Sequence, residues 1–507
     1  MNILIWFPRY QKGGGGRLFI NLVSSLERHS GIEKIGLVLS GEYKNDDDIR
    51  TLTKDKNIQV YYYLEGIESD PMIEASIAHA EKKIAGFKKE ITEIETHISK
   101  IQTEIKSTSS LWIMNSEKIF KIPTTRTLKR ILRKTFYRKT HIKHIKDIIQ
   151  KEEQTEKMRK GIDAAVKNIQ QNEDKIRNFR EALQNRIKEI KNNPVDYYAD
   201  DYDVVYFFWP HFIDFYKTKK PSVCTFQDVV ILDFPENVGG ANARNFWETS
   251  KKWIEETTVV VTSSNYIKTR LTDMFGDRCN SITVVPHRGS PVEYYSNYNN
   301  FPLSRNLPSE YIVYPGNLGF HKNHYNLLIA YSHFKYRSRY PLVLFGVFTE
   351  YLLQEPPNYP ELLNCARLVA LIKRLGLKVN EDYYPLGYVK DEEVELLIKN
   401  AKALVMPSLA EGGGSYPVEE ALRLGVPVAC SDIPVMREHL EGRTPKIGWF
   451  DPESTDSIAN ALNEVIEHYD EYKSSTLRGI KDVAQTWDNI ADRYVRVFEK
   501  AIETFKK

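Results

Sequence analysis

Short apolar runs alternate with amphipathic stretches over most of this chain. The first run covers residues 1–7, and Leu18, Leu22 and Leu26 after it recur at helical spacing. Similar strand-like runs follow at residues 34–40, 58–64, 203–209, 223–229, 258–262, 282–285, 311–314, 341–345, 382–389, 403–406 and 426–430. Strands that alternate with helices in this way predict an α/β protein with two doubly wound, Rossmann-like parallel sheets.

The strand pattern stops between residues 70 and 194, where the chain is polar, charged and helical. Apolar residues recur at steps of three and four over residues 73–105 and again over residues 158–190. The matched lengths predict an antiparallel helical hairpin of about 50 Å, at a rise of ~1.5 Å per residue. Asn172 and Arg186 are polar positions on the second seam, and we expect them to fix its register rather than to add stability.

These two patterns divide the chain into segments. Because the hairpin lies between two strands of one predicted sheet, it is an insertion and not a terminal extension. A polar stretch rich in asparagine and proline is the expected linker between the two sheets. The predicted segments are the first part of an N-terminal Rossmann-like domain (1–70), the hairpin with a basic tip (71–195), the second part of that domain (196–293), a linker (294–310), a C-terminal domain (311–486) and a final helix (487–507).

The net charge of +3 conceals an asymmetry at the predicted hairpin tip. Residues 118–146 contain eleven Lys and Arg and no Asp or Glu, with apolar residues interleaved at helical spacing. A helix with one apolar and one cationic face suits an anionic membrane surface. Such faces also bind partner proteins or a second copy of the chain, and a solvated tip is the third interpretation. The segment lacks the order of a nucleic-acid-binding module, so we expect no nucleic-acid partner.

Composition limits the class of protein further. A chain of 507 residues is too long for one hydrophobic core, and a hydrophobic content of 41% is ordinary for a soluble protein. No apolar run approaches 18 residues, and Pro8 and Arg9 interrupt the first run too early for a signal peptide. The four cysteines are scattered without a CxxC pair, which favours buried free thiols over disulfides or zinc ligands. We therefore expect a cytoplasmic protein.

The candidate chemistry centres on a glycine-rich loop after the run at 403–406. The glycines at 412–414 let the main chain approach a ligand closely, and the amides at the start of the following helix suit an anion. Glu411 and Glu419 have seven residues between them, so they can face one ligand from the loop and from the helix. The segment predicts a cradle for a diphosphate, with carboxylates left to hold hydroxyl groups.

This segment, from Glu411 through Glu419 to ALRLGVPVACSDIPVMRE, resembles the donor-binding segment of glycosyltransferase family 4, whose members are retaining enzymes with the GT-B fold. A second block upstream, YPGNLGFHKNHYNLLIAY, has the spacing at which that family keeps its phosphate-binding lysine, here Lys322. The resemblance covers residues 200–500 well and the first 65 residues more loosely. It implies two facing domains, a nucleotide-diphosphate sugar in the cleft, a final helix that returns to the first domain, and no metal or cofactor.

The resemblance also implies roles for individual residues. Lys322 would bind the diphosphate, Glu411 the sugar hydroxyls and the oxocarbenium-like transition state, and Glu419 the ribose. Gln227 stands where many relatives have a histidine that reaches the donor sugar, and glutamine cannot carry a proton. The candidate catalytic residues are Glu411, Lys322, Asp228 and Gln227. The candidate donor-binding residues are Gly14, Gly15, Gly16, Arg17, Gly316, Asn317, Lys322, Ser408, Gly412, Gly413, Gly414, Ser415, Tyr416 and Glu419.

Arg17 and His211 are candidate residues on the N-terminal side of the cleft. Asn317 stands where many relatives carry an arginine, and Arg17, just after the glycine loop at 13–16, could supply the missing positive charge. An exposed arginine at a helix start is the alternative. His211 follows the run at 203–209 and is a candidate acceptor-side residue, with a structural histidine as the alternative.

The resemblance implies sugar transfer, with retention, from a GDP-mannose-type or UDP-sugar donor to a glycan or lipid-linked acceptor in cell-surface polysaccharide synthesis. The hairpin tip could attach such an enzyme to the inner face of the plasma membrane. Two alternatives stay open. One is a GT-B scaffold that binds a sugar nucleotide without turnover, which Gln227 and Asn317 favour. The other is an assembly protein whose main functional part is the hairpin.

Overall fold

The structure is a computed structural model that describes residues 1–10, 14–54, 57–65, 67–68, 70–119, 126–210, 214–279, 281–287, 307–353, 363–481 and 486–506. Main-chain contacts divide the chain into two compact units. The first unit comprises Met1–Tyr63 and Asn193–Lys507, and the second is Leu64–Asn192.

The first unit contains two parallel β-sheets. Their strands are β1 (Asn2–Trp6), β2 (Lys34–Leu39), β3 (Ile58–Tyr62), β4 (Val204–Phe207), β5 (Ser222–Phe226), β6 (Val259–Thr262), β7 (Thr283–Val284), β8 (Ile312–Pro315), β9 (Leu342–Phe345), β10 (Tyr383–Pro385), β11 (Ala403–Met406), β12 (Val428–Ser431) and β13 (Ile447–Phe450). The N-terminal sheet has the order β3-β2-β1-β4-β5-β6-β7, and the C-terminal sheet has the order β10-β9-β8-β11-β12-β13. The predicted pair of doubly wound sheets is confirmed.

Helices cover both sheets and form the second unit. They are α1 (Gly14–Arg28), α2 (Asp47–Thr53), α3 (Pro71–Ile119), α4 (Arg126–Asn192), α5 (Pro194–Ala199), α6 (Val230–Asp233), α7 (Gly240–Glu256), α8 (Asn265–Phe275), α9 (His324–His333), α10 (Leu363–Leu375), α11 (Asp391–Lys399), α12 (Tyr416–Arg423), α13 (Pro434–His439), α14 (Thr455–Glu467), α15 (Tyr469–Arg478) and α16 (Trp487–Phe505).

The strands are apolar on both faces because each sheet lies between two layers of helices. On β1, for example, Leu4 pairs with Gly36 of β2 on one side and with Val205 of β4 on the other. Continuous apolar runs are the sequence signature of such doubly covered parallel strands. The carboxyl ends of parallel strands meet at one edge of each sheet, and the loops at these edges carry the candidate site.

Helix α16 follows the C-terminal domain in sequence but packs in the core of the N-terminal sheet. The Tyr494 hydroxyl lies 3.0 Å from Thr225 Oγ1 and 2.9 Å from His287 Nε2, and all three side chains are buried. A Thr486–Asn489 capping box defines where this helix begins. Helix α16 is therefore held against the N-terminal sheet by buried hydrogen bonds.

The second unit is an antiparallel pair of long helices. Glu104 pairs with Lys151 at 2.8 Å and Glu81 with Arg180 at 3.7 Å across the hairpin. A small core joins the two helices, formed by Ala80, Ile84 and Ile176 with Ile77 and Ile169 packed against it. The inserted hairpin is confirmed, but its predicted arms were too short, since α3 has 49 residues and α4 has 67.

The two polar seam positions of the hairpin differ in their contacts. The Arg186 guanidinium pairs with the carboxylate of Asp70, at the start of the other helix. The Asn172 amide is buried, but it donates to the Asn168 carbonyl of its own helix at 2.7 Å. Of the two, Arg186 is therefore the residue placed to fix the register.

The described residues leave out parts of the predicted linker and of the hairpin tip. His211 and residues 294–306 of the predicted linker lie outside the described residues, as do the side chains of 111–137 in the hairpin. All four cysteines are buried free thiols, as predicted. No helix within the described ranges is both long and apolar enough to cross a membrane.

Candidate active site

The N-terminal side of the cleft is built where α1 begins. Sequence analysis predicted a glycine loop here, but from Gly14 onwards these residues form the first turn of α1, so the predicted conformation is wrong. A Cβ atom on Gly15 would lie 2.4 Å from the Trp209 ring. Gly16 is buried on the inner face of the helix. The glycine at position 15 therefore allows the helix start to pack directly against an indole at the end of β4.

The C-terminal side is the loop at 411–415, which follows β11. A Cβ atom on Gly412 would lie 2.4 Å from the carbonyl oxygen of Gln227, and one on Gly413 would lie 2.8 Å from Ser263 Cβ. Both neighbours belong to the N-terminal domain. These two glycines therefore allow the loop to press against the opposite domain, a role that sequence analysis did not foresee.

Lys322 and Glu411 form an ion pair in the middle of the cleft. Lys322 ends a short 3-10 turn before α9, and its Nζ lies 2.6 Å from Glu411 Oε1. The two side chains are only 18% and 10% exposed. A charge-assisted bond with little access to water is strong, and leaving either charge unpaired there is costly. A ligand that enters must therefore offer an anion to the lysine and hydroxyl donors to the glutamate.

A cavity of about 570 Å³ surrounds this ion pair. Predicted site residues among its lining are Gly14, Gly15, Arg17, Asp228, Gly316, Asn317, Lys322, Glu411, Gly412, Gly414, Ser415 and Tyr416. Other residues that line the cavity were not predicted, among them Asn237, His321, Phe345, Tyr388 and Glu420. One wall of the cavity is therefore apolar and aromatic, and the centre is charged.

A smaller cavity of about 160 Å³ lies beside the first and is lined by Gln227, Gly413 and Glu419. The Gln227 side-chain amide donates to the main-chain carbonyl of Phe208 at 3.2 Å. Asp228, which lines both cavities, accepts from the amide of Val230 at 3.1 Å. Gln227 is thus held by its own domain, at the floor of the cleft.

Glu419 is buried at the start of α12, next to an imidazole and a guanidinium. Its carboxylate lies 3.1 Å from His439 Nε2 and pairs with the Arg443 guanidinium. Next to it, Gly414 has a φ of +136°, and a Cβ atom there would overlap the His439 ring. His439 and Arg443 were not predicted, because their pairing with Glu419 depends on how α12 and α13 pack.

Arg17 makes a different contact from the predicted one. Its Nη1 lies 2.7 Å from Glu420 Oε1 on α12, and the side chains are 15% and 3% exposed. The contact joins the two domains across the cleft. Arg17 lines the cavity as expected, but the structure pairs its positive charge with a carboxylate.

His321, beside Lys322, is an uncharged polar group of the site. Burial, followed by the positive charge of Lys322, lowers the pKa of His321 to about 3, so its imidazole is neutral at neutral pH. Asn237 of the N-terminal domain accepts from the Phe320 amide at 3.0 Å, and its Nδ2 lies 3.2 Å from His321 Nδ1. The imidazole is therefore fixed by the opposite domain and available for hydrogen bonding.

One predicted donor-binding residue, Ser408, is not among the described residues that line either cavity. It is fully buried, with its Oγ 3.5 Å from Met406 Sδ. Among the described His, Cys, Asp and Glu side chains, no group of three or more is arranged to hold a metal ion.

Part of the chain is similar to known glycosyltransferases. Residues 299–481 match the family described as "Glycosyl transferases group 1". O-antigen chain mannosyltransferase B from Escherichia coli is 25% identical over 311 residues, which cover 59% of this chain and 75% of that protein. Serotype-specific mannosyltransferase WbdA, also from Escherichia coli, is 25% identical over 325 residues, which cover 60% of this chain and 37% of that protein.

Solved structures show the same fold over nearly the whole chain. Anabaena Alr3699/HepE, in complex with UDP and glucose, aligns with a TM-score of 0.56 at 13% identity and covers 98% of this chain and 99% of that one. WaaG, a glycosyltransferase involved in lipopolysaccharide biosynthesis, aligns with a TM-score of 0.52 at 11% identity, again over 98% and 99% of the two chains. At this identity the likeness concerns the fold alone.

Proposed function

We propose that this chain, whose residues 299–481 match the group 1 glycosyltransferase family, transfers a hexose from a nucleotide-diphosphate sugar to a glycan or lipid-linked acceptor. The proposed pathway is synthesis of a cell-surface polysaccharide. The mannosyltransferase relatives favour GDP-mannose as the donor, with a UDP-sugar as the alternative. We propose a cytoplasmic location, at the inner face of the plasma membrane.

The observation that carries this proposal is the Lys322–Glu411 pair inside the cleft. In the donor complex, the diphosphate takes the place of Glu411 beside the Lys322 ammonium, and the sugar hydroxyls hydrogen-bond to the released carboxylate. Lys322 then keeps an anionic partner and Glu411 keeps hydrogen-bond donors, which limits the cost of separating the two buried charges. Glu419, at the start of α12, is proposed to bind the ribose.

The reaction breaks the bond between the anomeric carbon and the phosphate oxygen, and its electron pair leaves with the nucleoside diphosphate. Lys322 and the amides of the loop at 412–416 stabilise this negative charge. Glu411 stabilises the positive charge that develops on the sugar ring. The acceptor hydroxyl oxygen then bonds to the anomeric carbon on the face that the phosphate left, and its proton passes to the departing diphosphate, so the configuration is retained. We propose that this requires no metal.

A direct test measures nucleoside-diphosphate release and donor binding over a panel that includes GDP-mannose, UDP-glucose and UDP. We expect Lys322→Met to abolish binding of the diphosphate, and Glu411→Gln to abolish release while binding persists. Lys378→Met is the matched control, because Lys378 is 69% exposed and lies outside the cleft. Donor binding by the wild type without release would instead identify a scaffold without turnover. No binding of any donor would refute the proposal.

We also propose that the hairpin attaches the enzyme to an anionic membrane. On α4, Ile142, Ile145 and Ile149 are 48%, 43% and 48% exposed and are separated by three and four residues, so they form one apolar stripe. Lys143 and Lys146 are interleaved with the stripe. The absence of acidic residues from 118–146 favours an anionic lipid surface over a neutral one.

Flotation with vesicles of phosphatidylglycerol and phosphatidylcholine tests this attachment. We expect binding that falls with salt, is absent with pure phosphatidylcholine, and is lost when the three isoleucines are replaced by serine. Val166→Ser is the control, since Val166 is 43% exposed on the same helix but lies outside the basic segment. A triple variant that floats like the wild type would refute membrane attachment. Loss of a dimer in that variant would instead identify self-association.

A further inference from the structure

Polar contacts at the rim of the cleft hold the N-terminal and C-terminal domains together. The carboxylate of Glu438 accepts from the Asn265 amide at 2.8 Å and from the Tyr266 amide at 2.9 Å, at the first turn of α8. This is favourable, because the first amides of a helix lack partners within it. Asn237 accepts from the Phe320 amide at another point of the rim. These contacts therefore join the two domains across the cleft.

The Arg17–Glu420 pair is a domain contact inside the cleft. Both residues line the cavity that contains Lys322 and Glu411. Arg17 lies in the first turns of α1, and Glu420 lies 403 positions later on α12. Opening of the cleft would separate the two charges, and closing it would bring them together in a place with little water.

The position of Glu420 in α12 links this contact to the donor site. Its neighbour Glu419 is held within the C-terminal domain by His439 and Arg443. Glu420 instead reaches across to Arg17, so the start of α12 is held from both sides. The loop at 411–415 leads directly into this helix, and its position depends on where the helix start is held.

We infer that Arg17 is a positioning residue that holds the domains closed through Glu420, and that it is not a ligand of the donor diphosphate. The inference deepens the proposed function, since closure sets the loop at 411–415 against the donor. If losing the pair reduces the closed fraction to about one tenth, the apparent dissociation constant of the donor rises roughly tenfold.

The kinetic test compares Arg17→Met, Glu420→Gln, the double variant and the charge exchange R17E/E420R. We expect each single variant to raise the donor KM roughly tenfold, through the closed fraction, with a smaller effect on kcat. The double variant should be no worse than either single variant, and the charge exchange should recover part of the loss. Arg270→Met is the matched control, because Arg270 pairs with Asp233 within the N-terminal domain.

Two kinetic outcomes would overturn the inference. A loss in Arg17→Met that is absent from Glu420→Gln would show that Arg17 contacts the donor itself. Losses that add in the double variant would show that the residues act independently. If the charge exchange does not fold, the comparison of the two single variants with the double variant still decides between these outcomes.

A second measurement does not depend on catalysis, so its failure can be told apart from failure of the proposed function. Spin labels at Lys251→Cys and Lys378→Cys, both exposed and one in each domain, report the interdomain distance. The four native cysteines are buried, which favours labelling at the introduced ones. We expect a narrow distribution in the wild type and a broader, longer one in Arg17→Met and in Glu420→Gln. Unchanged distributions in both variants would refute the inference.

Discussion

Gly414 combines two constraints at one residue. Its φ of +136° is a conformation that side chains rarely adopt, and a Cβ atom there would lie 2.0 Å from His439 Nδ1. We expect Gly414→Ala to lower the free energy of unfolding by about 1–3 kcal/mol from main-chain strain alone. The displaced imidazole would also disturb Glu419. Chemical denaturation and nucleotide binding measure the two effects.

The control for this substitution is Gly240→Ala, at the start of α7. No heavy atom lies within 4 Å of a Cβ atom built there, and its φ lies outside the positive range. We expect Gly240→Ala to change stability by less than about 1 kcal/mol. Equal stabilities of the two variants would contradict the main-chain strain assigned to position 414.

Buried histidines make stability depend on pH. Burial lowers the pKa of His287 to about 3. Between the unfolded pKa of about 6.5 and the folded value, the unfolded chain binds more protons, so stability rises with pH. The contribution of His287 is complete above pH 6.5 and is lost as the pH falls towards 3, at up to about 1.4 kcal/mol per pH unit.

Urea unfolding at pH 7.5, 6 and 5 measures this dependence. We expect His287→Gln to give a shallower dependence than the wild type, since glutamine can still hydrogen-bond to the Tyr494 hydroxyl but does not titrate. An identical pH dependence in the variant would show that His287 does not contribute to it.

Sequence spacing predicted the residues that lie on the loops of the site. Lys322 and Glu411 were found because each belongs to a local block, and the structure places them in contact. Arg443, His439 and Glu420 were missed because their roles depend on tertiary packing. The available signal was the pair of adjacent acids, Glu419 and Glu420, in the first two turns of α12, which cannot both face solvent if that helix packs inside the cleft.

At the level of elements, the sequence predicted the type of most helices and strands. Helix α8 begins at Asn265, and Ser264 is its N-cap, accepting from the Ile267 amide at 3.2 Å. The hairpin arms were underestimated because apolar periodicity reports where a helix packs, not where it ends. Helix α3 continues past the first apolar seam to Ile119, and helix α4 begins at Arg126, well before the second seam.

The packing of helix α16 against the N-terminal sheet can be tested by mutation. Tyr494→Phe removes a buried hydroxyl that bonds to Thr225 and His287 on the N-terminal sheet. We expect a loss of about 1–3 kcal/mol in the free energy of unfolding, because buried polar atoms lose a partner. Tyr384→Phe is the control, since its bond to the Asn380 carbonyl is exposed. Comparable losses in the two variants would contradict the structural role given to α16.

At the level of the whole molecule, the chain contains two compact units, and each has its own hydrophobic core. The first buries two apolar sheets and contains the cleft. The second has a small core of its own, formed by Ala80, Ile84 and Ile176. Its sequence is therefore free to vary in length and charge without changing the two sheets, which is how an insertion acquires a separate function.

Replacement of residues 71–192 by a short glycine–serine linker tests this division of labour. Because α3 and α4 are antiparallel and Asp70 pairs with Arg186, the ends of the excised segment are close enough for such a linker. We expect the remaining unit to fold and to release nucleoside diphosphate at a rate within about twofold of the full chain, since each compact unit has its own core. Binding to anionic vesicles should disappear. Loss of nucleotide release from a well-folded variant would instead make the hairpin a part of the catalytic machinery, and it would favour the assembly function over simple attachment.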